Sequence, residues 1–227
     1  MDVRALVFDV FGTVVDWRSG VAREVARLLP DVDDPHELAD DWRGRYQPSM
    51  EEVRSGRRPW TILDVLHRES LDALLAERGL DPPDTVRAEL VLAWHRLDPW
   101  PDAVEGLTRL KARFTIGPMS NGNVALLVDM AKRAGLPWDV VLGAEVARHY
   151  KPDPGAYDSA PALLALRPEQ VGMVAAHVDD LVAARARGLT TFYVHRPDEF
   201  GGRVVPPATD PDAALTVSSF TELADLL

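Results

Sequence analysis

The sequence predicts an α/β fold in which a parallel sheet forms the core and an all-helical cap is inserted after the first strand. Five apolar residues among the seven positions from Val3 indicate a short buried strand, which Gly12 and Thr13 interrupt. Between positions 16 and 98 apolar residues recur only at helical spacing. Beyond Trp100, strands and helices alternate, which is typical of right-handed βαβ units. We therefore assign 1–15 and 99–227 to a core domain and 16–98 to the cap.

Each element follows from local spacing and from the residues that begin or end it. The first strand ends at Asp9, on the rim where open α/β sheets place their ligands. Helices are predicted after Thr13 up to Pro30, from Pro35, over Trp60–Arg78 and from Pro83 to about Leu97. In the core, strands are predicted at Phe114–Met119, Val140–Leu142, Val171–Ala175, Leu189–Val194 and Leu215–Val217. The helices between them are Val124–Ala134, Pro154–Leu166, Asp180–Arg187 and one capped by Ser219. The Pro- and Gly-rich stretch 196–211 is predicted to be a surface loop.

Composition excludes several classes of partner. The net charge of −11 argues against nucleic acid and against an anionic membrane surface. The absence of cysteine rules out disulfides and thiolate metal sites. No apolar signal segment or membrane-spanning stretch is present in the sequence, so we expect a cytoplasmic protein.

Polar residues follow four of the predicted strands. The first loop carries Asp9 and Thr13, and the other three are Ser120–Asn123, His149–Pro154 and Ala176–Asp180. Because the carboxyl ends of parallel strands meet at one edge of a sheet, we expect these loops to converge. Lys151 is one of only three lysines among 25 basic residues, which indicates that a compact ammonium group is needed there.

This order of motifs resembles the haloacid dehalogenase superfamily. The resemblance lies in Asp-x-x-Gly-Thr at the first strand, then Ser-Asn, then Lys-Pro, then an acidic strand end, and it covers essentially the whole chain. It implies a Rossmann-like core with a helical cap.

Two departures from the phosphatases of that superfamily bear on the reaction. Phe11 stands where phosphatases carry an aspartate that protonates the leaving oxygen, and a phenyl ring has no proton to give. Ala175 or Ala176 stands where their fourth motif supplies a carboxylate ligand to Mg²⁺. A halide leaving group needs neither the proton nor the metal.

The detailed resemblance is to the L-2-haloacid dehalogenases. It implies that Asp9 displaces halide from a small 2-haloalkanoic acid and forms an ester, which water oriented by Asp180 then hydrolyses. It also implies that Lys151 keeps Asp9 ionised and that no cofactor or metal takes part. The remaining site residues that it implies are Thr13 in catalysis and Phe11, Trp42, Arg43, Trp60, Ser120, Asn121 and Tyr157 in binding substrate and halide. A homodimer is suggested by the same resemblance.

One residue of the fourth loop departs from that family. His177 stands where these dehalogenases carry an asparagine that helps to place water, and we expect the imidazole to help activate the water. The alternative is that His177 only bonds a backbone group. For the whole protein, two alternatives remain: a phosphatase holding Mg²⁺ with Asp9, Asp179 and Asp180, and a binding-only member of the fold.

Overall fold

A five-stranded parallel sheet forms the centre of the computed structural model, which describes all 227 residues. The chain has seven strands, of which all but β2 and β3 belong to this sheet: β1 (Ala5–Phe8), β2 (Val15–Asp16), β3 (Asp98–Pro99), β4 (Thr115–Pro118), β5 (Val171–Ala175), β6 (Thr190–Val194) and β7 (Leu215–Val217). The sheet order is β4-β1-β5-β6-β7, and every neighbouring pair in it is parallel. The α/β fold class is therefore confirmed, and β1 lies inside the sheet with partners on both sides.

Eleven α-helices complete the fold, the first five before β3 and the other six after it. They are α1 (Trp17–Leu28), α2 (Pro35–Gly44), α3 (Tyr46–Arg54), α4 (Leu63–Glu77), α5 (Asp84–Val91), α6 (Ala103–Lys111), α7 (Val124–Ala134), α8 (Ala144–Ala147), α9 (Pro154–Leu164), α10 (Val178–Ala186) and α11 (Phe220–Leu226). Their ends carry the expected signals: Asp34 accepts two amide hydrogen bonds at the start of α2, and Ser219 accepts one from Glu222 at the start of α11. None of the helices combines the length and apolar character that a membrane span requires.

The cap, whose helices lie within 17–96, leaves and rejoins the core through a two-stranded ribbon. In that ribbon β2 pairs antiparallel with β3, with Val15 opposite Pro99 and Asp16 opposite Asp98. The boundaries predicted at 15/16 and 98/99 fall on this ribbon.

Aromatic residues form the contact between cap and core. Phe11, just after β1, meets Trp94 of the cap edge-on, with ring centroids 5.7 Å apart. Within the cap, Trp17 stacks on the same indole at 6.2 Å. One continuous cluster of 41 buried residues includes all three and extends through both parts of the molecule. The cap is therefore held on the sheet by burial of apolar surface.

Two expectations about the core were wrong. The segment Val140–Leu142 is not a strand: its amides donate to the carbonyl groups of Ile116 and Pro118 on β4. Pro118 has no amide proton to donate in return, so a regular ladder does not form. The stretch 196–211 is irregular, but it is not wholly at the surface, because Arg196, Glu199 and Asp210 are buried.

Candidate active site

Asp9 lies at the centre of the site, directly after β1. Its Oδ1 accepts a hydrogen bond from Lys151 Nζ at 2.9 Å, and its Oδ2 accepts one from Thr13 Oγ1 at 2.8 Å. Burial opposes ionisation of this carboxyl group, but the charge of Lys151 and the hydrogen bond from His177 hold its pKa well below its usual range. Asp9 is therefore a buried carboxylate at neutral pH.

Lys151 bridges Asp9 to a second carboxylate. Its Nζ also donates to Asp180 Oδ2 at 2.5 Å, and Tyr157 donates its hydroxyl to Asp180 Oδ1 at 2.6 Å. The two carboxylates raise the pKa of Lys151 in spite of its burial, so the ammonium stays charged. Burial and the neighbouring charge of Asp9 raise the pKa of Asp180, although Lys151 opposes that rise. An ammonium group thus fills the space between Asp9 and Asp180.

His177, on the fourth loop, lies between two carboxylates. Its Nδ1 is 3.2 Å from Asp9 Oδ2, and its Nε2 is 2.9 and 3.0 Å from the two oxygens of Glu199. Burial would lower the pKa of His177, but hydrogen bonds to Asp9 and Glu199 raise it to about 10. Because carboxylate oxygens only accept hydrogen bonds, both ring nitrogens carry protons here and the side chain is an imidazolium.

Glu199 is the site residue that sequence reasoning missed. It comes from the irregular stretch after β6, and its Oε1 also accepts a hydrogen bond from Trp17 Nε1 at 3.1 Å. No periodicity or motif marks this loop, so nothing in its own residues predicts that a carboxylate lies at the sheet edge. The one hint was His177 itself, since a half-buried imidazole needs polar partners.

The other predicted loop residues fix the loops to one another. Asn121 Oδ1 accepts from the amide of Lys151 at 2.7 Å, which joins the second loop to the third. Thr13 Oγ1 accepts from the amide of Ala176 at 3.0 Å, which joins the first loop to the fourth. Ser120 is buried and accepts a long, 3.4 Å hydrogen bond from Gly122.

A cavity of about 500 Å³ opens between these loops and the cap. Its lining comes from both parts of the molecule: Asp9, Phe11, Arg43, Tyr46, Gln47, Arg54, Asn121, Lys151, Pro152, Tyr157, His177, Asp179, Asp180 and Phe200. The Arg43 guanidinium lies over the Tyr46 ring, 4.0 Å from its centroid, and its Nη1 is buried without a hydrogen-bond partner. A buried cationic donor with a free N–H suits an anionic group in this cavity.

The structure places four of the predicted site residues outside the cavity lining. Thr13 and Ser120 are buried in the loops beneath it. Trp42 lies inside the cap, where its Nε1 donates to the carbonyl of His67 at 3.1 Å. Successive residues of a helix point about 100° apart, so Trp42 faces the cap interior when Arg43 faces the cavity. Trp60 stacks on Tyr150 at 4.8 Å, beside a separate cavity of about 200 Å³.

Comparison with known proteins gives concordant matches over most of the chain. The family model for haloacid dehalogenase-like hydrolases matches residues 3–188. The (S)-2-haloacid dehalogenase 1 of Pseudomonas sp. (strain CBS-3) is 32% identical over 205 residues, which are 87% of this chain and 88% of that protein.

Solved structures agree with these sequence matches. A defluorinating L-2-haloacid dehalogenase superposes with a TM-score of 0.96 at 48% identity, over 99% of this chain and 95% of that one. The L-2-haloacid dehalogenase from Xanthobacter autotrophicus with chloropropionic acid covalently bound superposes with a TM-score of 0.83 at 26% identity, over 99% and 98% of the two chains.

Proposed function

This chain belongs to the haloacid dehalogenase-like hydrolase family, and from that premise we propose that it hydrolyses the carbon–halogen bond of a small 2-haloalkanoic acid. The observation that carries the proposal is the environment of Asp9. An ionised carboxylate is buried against Lys151 at the floor of a cavity, and a second cation, Arg43, has a free N–H in the wall. The first is a nucleophile shielded from water, and the second is a binding group for an anion.

In the first half-reaction an oxygen of Asp9 attacks the carbon that bears the halogen. A carbon–oxygen bond forms, the carbon–halogen bond breaks, and the halide leaves with the bonding electrons. Lys151 and Thr13 hold the carboxylate in place, and Arg43 with Asn121 binds the anionic groups of substrate and halide. Phe11 contributes apolar wall beside the reacting carbon.

In the second half-reaction water attacks the carbonyl carbon of the Asp9 ester. The bond between that carbon and the alkyl oxygen breaks, which releases a 2-hydroxy acid and restores the carboxylate. We assign orientation of this water to Asp180, which Lys151 and Tyr157 hold in position, and its activation to His177.

The residues present do not favour the phosphatase alternative. The position that would protonate a leaving alkoxide holds the buried phenyl ring of Phe11. The space between Asp9 and Asp180, where that alternative needs Mg²⁺, is filled by Lys151 Nζ. The chemistry of this donor set suits a leaving group that departs without a proton.

Halide release tests the proposal directly. We expect the protein to release halide from chloroacetate, fluoroacetate or one enantiomer of 2-chloropropionate in the presence of EDTA, and Asp9→Asn to abolish that release. The parallel assay uses p-nitrophenyl phosphate with Mg²⁺. Phosphate release that needs Mg²⁺, with no halide from any haloacid, would replace the dehalogenase proposal by the phosphatase one.

We also propose that the enzyme works in the cytoplasm as a homodimer. The dimer is supported by the resemblance to L-2-haloacid dehalogenases. Analytical ultracentrifugation at micromolar concentration tests the homodimer. A single species with the mass of one chain would exclude a stable dimer.

A further inference from the structure

The loop 196–203, which follows β6, brings Glu199 to the site and is fastened at both ends. Arg196 donates to the carbonyl of Thr13 at 3.0 Å and forms a bidentate ion pair with Asp102, so one end is fixed to the core. Arg203 donates to Asp40 of the cap at 3.0 Å at the other end. Between these anchors Glu199 is 4% exposed.

The first loop is shaped to receive this carboxylate. Gly12 has φ +84°, and a Cβ atom there would overlap with Glu199 Oε1. The backbone of Gly12 therefore packs directly against Glu199, while Trp17 donates to the same oxygen. Glu199 has two protein donors, Trp17 and His177, and lies behind the imidazole as seen from Asp9.

We propose that Glu199 is the positioning residue for His177, and that formation of the Asp9 ester converts His177 from the ion-pair partner of Asp9 into the base of the second half-reaction. This inference rests on the proposed function. In the resting enzyme His177 Nδ1 is 3.2 Å from Asp9 Oδ2, at ion-pair distance from the carboxylate. Once Asp9 is a neutral ester, that anion is gone, whereas Glu199 still holds Nε2–H and keeps Nδ1 directed at the ester.

The protons balance over the cycle. After halide leaves, the imidazolium loses its Nδ1 proton to solvent through the open cavity, and this is the one proton that the overall hydrolysis produces. Neutral His177 then takes a proton from water as the hydroxyl oxygen bonds to Asp9 Cγ. The remaining hydroxyl proton passes to the departing alkyl oxygen, and His177 is again an imidazolium beside a carboxylate.

Other charged groups face this imidazole across the cavity and stay unchanged by ester formation. They are Lys151 from the third loop, Asp179 and Asp180 from its own helix, and Arg43 and Arg54 from the cap. Lys151 is already paired with Asp180, so the charge that changes next to Nδ1 is that of Asp9.

The test measures the two half-reactions separately in Glu199→Gln. We expect a first phase that releases about one equivalent of halide per active site, followed by turnover reduced about 100-fold, the low end of the range for loss of general-base catalysis. Intact-protein mass spectrometry should then show the ester accumulating on Asp9. The amount of halide released in the first phase equals the number of folded active sites. A variant that folds poorly would therefore show a smaller first phase, whereas a variant with a slow second half-reaction would show a full one.

The pH dependence of ester hydrolysis gives a readout that a purely structural role would not move. Loss of the Glu199 charge should shift the midpoint of the alkaline-rising limb to lower pH, because the imidazolium is less stabilised. Glu199→Asp should recover part of the rate of ester hydrolysis. The double variant His177→Gln/Glu199→Gln should hydrolyse the ester no more slowly than His177→Gln alone, because Glu199 acts through His177. Asp198→Asn, an exposed position on the same loop, is the matched control and should behave as wild type.

Each contrary outcome has a distinct meaning. Wild-type ester hydrolysis in Glu199→Gln, or an unmoved pH midpoint, would overturn the role of Glu199 and leave the dehalogenase proposal standing. Absence of halide release from the wild-type enzyme would overturn both.

Discussion

Replacing Lys151 by methionine removes the cation that two buried carboxylates share. Lys151 Nζ is 2.9 Å from Asp9 and 2.5 Å from Asp180, and the three side chains are 9–10% exposed. Removing one partner of a buried ion pair costs about 3–5 kcal/mol, because the remaining charge stays desolvated. We expect Lys151→Met to lower the free energy of unfolding by that amount at pH 8, and to abolish halide release.

The loss of stability in Lys151→Met should become smaller as the pH falls. Without Lys151, burial and mutual repulsion raise the pKa of Asp9 and Asp180 above the ordinary aspartate value of about 4. The folded variant then binds protons that the unfolded chain has already lost, so its stability falls as the pH rises. The deficit relative to wild type should therefore be smaller at pH 5 than at pH 8.

Urea denaturation at pH 5 and at pH 8, followed by tryptophan fluorescence, measures the free energy of unfolding of wild type and of Lys151→Met. Lys132→Met is the matched control, since Lys132 is exposed and its replacement should change stability by less than about 0.5 kcal/mol. Adding Asp180→Asn to Lys151→Met should restore part of the stability without restoring activity. An undiminished free energy of unfolding at pH 8, or an equal loss at pH 5, would refute the shared-cation interpretation.

Three further predictions concern Gly12 and Arg43 at the site and His95 of the cap. Gly12→Ala should cost about 1–2 kcal/mol for the left-handed backbone and should slow ester hydrolysis by displacing Glu199, which denaturation and single-turnover kinetics would detect. Arg43→Lys should raise KM about tenfold with little change in Tm, because an ammonium group cannot reproduce the guanidinium stacked on Tyr46. An unchanged KM would exclude a role of Arg43 in substrate binding. Burial opposes the charge of His95, but Asp64 and Asp129 raise its pKa, so the stability that it contributes is complete below about pH 6.5 and is lost as the pH rises. The stability difference between wild type and His95→Gln should therefore narrow in denaturation experiments from pH 6 to pH 9, and a constant difference would contradict this.

The convergence of Asp9, Lys151 and Asp180 could be predicted from the sequence because each belongs to a loop that follows a regular element. Strand periodicity, glycines and prolines locate those loops, and parallel pairing brings them to one edge. Helix α7 and strand β5 have the predicted bounds for the same reason.

The parts that escaped prediction depend on tertiary contacts. Glu199 lies in a loop without any period, and its burial results from packing against Gly12 and His177, which are distant in sequence. Trp42 shares the helical spacing of the cap core with Leu38, and only the packed cap shows which side of α2 the cavity faces.

The ribbon that joins cap and core makes the fold modular. Val15 and Pro99 are cross-strand partners, so the 16–98 segment begins and ends at points that lie about 5 Å apart, a gap that a tight turn can close. A segment with adjoining ends can be exchanged in evolution without disturbing the sheet that carries the nucleophile. Its removal would expose Asp9 to water, and hydration would weaken the carboxylate as a nucleophile toward carbon. Exchanging this module would change which acids reach Asp9, whereas deleting it would also expose the apolar residues that cap and core bury together.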